Sequence, residues 1–152
     1  MAEKAKTKAA RSKPSVSLSP EELEAMKERT RELKAEKRGG KDKAAAAAAD
    51  VAEKIAAMPE AEAGIAKRIH DLAVAAGLKP RTWYGMPAYT SNEKVIVFFQ
   101  AASKFKTRYS TVGFQEDAKL DEGVFWPTTF AITKMTKAAE VELAALIARA
   151  LR

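Results

Sequence analysis

Apolar residues recur with a helical period near both ends of the chain and with a strand-like pattern between them. Ile65, Ile69 and Leu72 fall at i, i+4 and i+7 with Gly77 as a stop, which describes one face of a helix. Leu143, Leu146, Ile147, Ala150 and Leu151 mark the face of a closing helix over about 136–150. Ahead of both, an alanine-rich helix over 41–57 carries a short stripe of Val51, Ile55 and Met58, and Pro59 breaks it. Segments 82–89, 94–100, 104–112 and 124–132 are rich in aromatic and β-branched residues and are separated by turn residues, so they predict strands. Helices, then strands, then a helix read as α+β: an antiparallel sheet with two helices before it and one after it, covered on one side.

The N-terminal quarter follows a different pattern. Ser19, Pro20 and Glu22 have the spacing of a capping box with proline at the first helical position, and Leu18 and Leu23 sit where a hydrophobic staple would place them. The helix that follows, to about Arg38, is mostly charged, and only Leu23, Met26 and Leu33 are apolar enough to dock. It is expected to lie loosely on the body or to project from it, with Gly39-Gly40 as its end and hinge. Before it, Lys4, Lys6, Lys8, Arg11 and Lys13 stand against Glu3 with no bulky apolar residue to bury, the composition of a solvated tail. The division is therefore a basic disordered tail and charged helix over 1–43, then an α+β domain over 44–152.

Charge and composition narrow the function classes. The 152 residues carry a net charge of +7, of which +5 lies in the first 43. Zero cysteines exclude disulfides, thiolate metal sites and thiol catalysis, and one histidine, His70, excludes a multi-histidine centre. No apolar run approaches the ~20 residues of a membrane span, and a cytoplasmic protein is expected. Neither a phosphate-binding loop of the G-x-x-x-x-G-K-[ST] kind nor a G-x-G-x-x-G turn occurs. No nucleophile, acid–base pair or metal set stands out, so no catalytic residue, metal ligand or cofactor is assigned, and an enzyme is the least supported class.

Two segments could carry binding chemistry. Lys104, Lys106 and Arg108 alternate with Phe105, Thr107 and Tyr109, so a strand would put three cations on one face, either solvated or turned toward an anion. Arg81-Thr82-Trp83-Tyr84-Gly85-Met86-Pro87-Ala88-Tyr89 is the densest motif: Gly85 permits a backbone conformation that side chains forbid, and Pro87 stiffens the chain beside three rings and a methionine. Such a corner either fills an irregular core gap or lines a pocket. Trp126-Pro127-Thr128-Thr129 would form the opposite wall.

Met58-Pro59, the Trp83–Tyr89 motif, Lys94-Val95 with Phe98-Phe99, Lys104-Phe105-Lys106, Phe114, Leu120-Asp121-Glu122-Gly123 and Trp126-Pro127-Thr128 form a longer pattern. On these residues the chain, from about Ala52 onward, resembles the YdhG-like family of small bacterial α+β proteins. It implies a sheet-and-helix body, and it implies no catalytic residues. One branch of the family is likened to frataxin and to iron delivery. Here Glu116, Asp117, Asp121 and Glu122 form the best acidic cluster, and the body's net charge of +2 makes a weak sink for iron.

The leading expectation is a non-catalytic binding module for a small anionic or aromatic ligand. Trp83, Tyr84, Met86, Tyr89 and Trp126 would provide burial and shape, and Lys104, Lys106 and Arg108 charge. The alternatives are association with nucleic acid through the Lys/Ala-rich tail and iron delivery.

Overall fold

Local signals set several of the helix ends. The computed structural model describes residues 17–37 and 42–152, so the tail and the Gly39-Gly40 hinge lie outside the described residues. Helix α1 (Pro20–Glu36) begins at the expected capping box: the Ser19 hydroxyl accepts from the Glu22 N–H at 3.2 Å, and the Glu22 carboxylate accepts from the Ser19 N–H at 2.8 Å. Helices α2 (Lys43–Ala56) and α3 (Glu60–Ala75) are separated by the Met58-Pro59 break. Helix α5 (Lys137–Ala150) is capped by the Thr136 hydroxyl, which accepts from the Ala139 N–H. Five strands lie between α3 and α5: β1 (Lys79–Trp83), β2 (Met86–Ser91), β3 (Lys94–Gln100), β4 (Ser110–Phe114) and β5 (Thr129–Ile132). A four-residue helix, α4 (Ala102–Phe105), joins β3 to β4.

The sheet is an antiparallel meander in the order β1-β2-β3-β4-β5, and the fold is α+β as expected. Paired residues point to the same side of a sheet. Pro80, Tyr89, Val97 and Phe114 are paired across β1 to β4, as are Phe99, Val112 and Phe130 across β3 to β5. This side faces α3 and α5 and builds the core with Ile65, Ile69, Leu143 and Ile147. Arg81, Ala88, Phe98 and Gly113 are paired on the opposite side. Helix α2 runs along β1, and α1 touches β1 and α4.

Three strand expectations change. The segment 82–89 is a hairpin rather than one bent strand, because Tyr84 and Gly85 form a two-residue turn. In 104–112, α4 and a left-handed Lys106 precede a strand that starts only at Ser110, so Lys104, Lys106 and Arg108 do not share a strand face. The cause is tertiary: Glu62 of α3 accepts hydrogen bonds from the N–H and hydroxyl of Ser103, and the Ser110 hydroxyl accepts from the Ala102 N–H, which holds 102–105 as a helical turn. In 124–132 only residues from Thr129 pair, and Val124 and Phe125 project from the loop almost fully exposed.

Candidate functional site

The tight hairpin between β1 and β2 creates the most distinctive polar geometry in the molecule. Tyr84 and Gly85 both have positive φ, 53° and 73°, as a two-residue turn of the primed type requires. This conformation turns two successive backbone N–H groups outward together, the arrangement of an anion-binding nest. A carboxylate fills it. Glu32 of α1 accepts from the Tyr84 N–H at 3.0 Å and from the Gly85 N–H at 2.9 Å, one oxygen to each.

The neighbouring acids of α1 are received in the same way. Glu28 accepts from Lys104 at 2.6 Å and from Lys54 of α2 at 3.1 Å. Glu36 pairs with Arg81 of β1 and, at 3.3 Å, with Arg29 of its own helix. Glu21 pairs with Lys106 at 2.7 Å. Glu21, Glu28, Glu32 and Glu36 are spaced by seven, four and four residues, so they form one stripe along the helix. Helix α1 therefore docks through its charged face, the reverse of the expected mode. Leu23, Met26 and Leu33 stay outside, 46, 51 and 43% exposed, and Ala25 is the only buried residue of the helix.

Burial alone would raise the Glu28 carboxyl, but the hydrogen bonds and charges of Lys104 and Lys54 outweigh it and hold the group below its ordinary value. The Lys106 contact likewise lowers Glu21. A depressed carboxylate pKa stabilises the docked state above the ordinary value of 4.5, and that stabilisation is lost as pH falls toward the depressed one. Acidification from about pH 5 to about pH 3 is thus expected to free α1 before the body unfolds. Backbone NMR resonances of 20–36 should move to those of an isolated peptide while the sheet resonances hold. Simultaneous loss of both would refute charge-held docking.

Rings wall the nest on one side. Trp83 packs edge-on against Tyr84 at 5.0 Å and tilts over Phe98 at 5.3 Å, and the Arg29 guanidinium lies 5.7 Å from the centre of the Tyr84 ring. Phe98 in turn lies across Gly113, where a Cβ would strike its ring. A cleft of about 430 Å³ opens beside Trp83, bordered by Arg29, Arg81, Gln115 and Glu116.

The structure thus assembles Trp83, Tyr84 and Lys104 of the expected site, with Lys106 at the far end of the same helix. Arg108 is separate, exposed and stacked 5.0 Å from the Tyr109 ring centre. Met86 and Tyr89 are inside the protein. The buried Tyr89 hydroxyl is 3.2 Å from His70 Nδ1, so His70 serves a core contact. Trp126 lines a different cleft of about 540 Å³ with Phe114, Val124 and Phe125, and does not border the cleft beside Trp83; the two clefts meet at Gln115 and Glu116.

Residues not singled out from the sequence are Lys54, Glu28, Glu32 and Glu36, while Arg81 stood only as the first residue of the aromatic motif, with no role assigned to it. The regular four-residue spacing of the three glutamates was the available signal.

No family model matches the chain, and neither a curated protein nor a solved structure shows significant similarity to it. Among the described residues, no three acidic or histidine side chains converge as metal ligands, and no helix is long and apolar enough to cross a membrane.

Proposed function

We propose that the chain is a non-catalytic binding module that takes an anionic group at the Tyr84–Gly85 turn. The observation that carries this reading is the Glu32 carboxylate received by two successive backbone N–H groups. Arg81 and Lys104 flank that point on the body side, and the Trp83 and Tyr84 rings, set edge to face, stand beside it as an apolar wall for the ring of an aromatic carboxylate or a phosphate ester. Carboxylate and phosphate share the chemistry that such donors recognise. The Trp83–Tyr89 motif that forms this corner is also the one that carries the resemblance to the YdhG-like family. Iron delivery draws no support from the geometry. The nucleic-acid reading depends on the basic tail, which lies outside the described residues.

The test uses the full chain with Glu28→Ala, Glu32→Ala and Glu36→Ala, which vacates the donors. Calorimetric titration with inorganic phosphate and with benzoate should show saturable binding that the parent chain lacks or shows only weakly. Adding Arg81→Ala should weaken it by about tenfold or more, the value of a charge-assisted hydrogen bond. No saturable binding of either probe by the vacated chain would end the proposal.

A further inference from the structure

We infer that the surface under α1 is a receptor for an acidic helix of a partner protein, and that α1 is its resident, displaceable occupant. The inference rests on the anion-binding reading and adds the form in which the anion arrives: carboxylates at i, i+4 and i+8 along a helix. Glu28, Glu32 and Glu36 have this spacing, and each meets a different donor set: Lys104 with Lys54, the turn, and Arg81. Those donors come from α4, α2, the β1–β2 turn and β1. The body, not α1, fixes the backbone donors and the strand that carries Arg81. The row of donors follows a helix axis, because residues four apart lie about 6 Å apart along it.

The way α1 is held argues for displacement. A helix packed only for stability buries its apolar stripe. This one turns half-buried carboxylates toward the body and leaves Leu23, Met26 and Leu33 in solvent. Partly exposed ion pairs are individually weak and screened by salt. A tether adds to them: six residues, 37–42, separate α1 from α2, and so short a connection raises the effective concentration of the carboxylates at their seat. A partner helix of the same spacing makes the same contacts and needs only to overcome that tether. Close approach is built in at Gly85, where any side chain would collide with the Glu28–Lys104 pair.

Two alanine-rich peptides test the inference, one with three glutamates at the spacing of 28, 32 and 36, the other with three consecutive glutamates that point around the helix. Each is titrated into the parent chain and into the Glu28→Ala, Glu32→Ala, Glu36→Ala chain, with inorganic phosphate in parallel. The in-phase peptide should bind the vacated chain about tenfold more tightly than the out-of-phase peptide, and more tightly than it binds the parent chain. If phosphate binds while the two peptides bind equally or not at all, the helix receptor is overturned and the anion site stands. Equal affinity of the in-phase peptide for parent and vacated chains also overturns it, since α1 would then not compete. If neither phosphate nor peptide binds, the anion reading has failed and this inference with it. Should the triple variant melt early, Glu32→Ala alone, which vacates only the turn, is read by the same outcomes.

Discussion

Replacing Tyr89 by alanine should cost the fold about 3–5 kcal/mol, the usual range for deleting a buried ring. Tyr89 is fully buried, is paired with Pro80 and Val97 on the core face of the sheet, and meets the His70 ring edge-on at 5.6 Å. In a chain of this size that is a fall in melting temperature on the order of 10 °C. Tyr89→Phe keeps the ring and removes only the hydroxyl contact with His70, so its cost should be near 1 kcal/mol. The pair of variants separates core from pocket, because a pocket tyrosine would lose binding with little loss of stability. Burial, aided by the charge of Asp71, pushes the Tyr89 phenol well above its ordinary value of 10.0. Its contribution is therefore complete below that value and declines as pH rises through it. A melting shift for Tyr89→Ala no larger than that for Tyr89→Phe would show that the ring does not support the core.

The parts of this molecule legible in the sequence are those set by local chemistry. Ser19, Pro20 and Glu22 start α1 wherever the helix ends up, and Gly85, read as permitting a backbone conformation that side chains forbid, adopts a positive φ. Ile65, Ile69, Leu143 and Ile147 showed their buried faces by period alone. Failures occur where distant residues decide. Lys104 to Tyr109 alternates like a strand, yet Glu62 and Ser110 capture its start as a turn. The Tyr84–Gly85 hairpin was hidden because tyrosine in the left-handed region is an unusual first turn residue, where asparagine or aspartate is the recognisable sign. The docking mode of α1 was the deepest miss. Its apolar residues suggested the contact face, but the partner of Glu28 is Lys104, 76 residues away, and no window of sequence shows that pairing. Of the side chains grouped from the sequence, the fold brings Trp83, Tyr84 and Lys104 together and leaves Arg108, Met86, Tyr89 and Trp126 elsewhere, and nothing in the sequence pattern announced the Glu32 carboxylate in the turn.

Gly85→Ala should release α1 from the body. Two effects act together. At φ 73° a side chain is strained whatever the surrounding space, at about 1–2 kcal/mol for a non-glycine residue in the left-handed region. The new methyl would also stand where the Glu28 carboxylate meets the Lys104 ammonium. Both groups end flexible side chains, so the clash itself is relieved by movement, but the movement separates the ion pair. It also pulls Glu32, one turn along the same helix, away from the Tyr84 and Gly85 N–H groups. With one buried residue and no apolar anchor, α1 has nothing else to hold it, so the loss should be cooperative. Trypsin reports it: Lys27, Arg29 and Arg31 lie within the docked helix, and cleavage there should accelerate by about tenfold or more if release lowers the local opening energy by 1.4 kcal/mol. The strain should lower the melting temperature of the body by only a few degrees, about 2–4 °C per kcal/mol. Unchanged cleavage with a lowered melting temperature would mean that α1 is held by something other than this row of carboxylates, and its proposed displacement by an acidic partner would lose its physical basis.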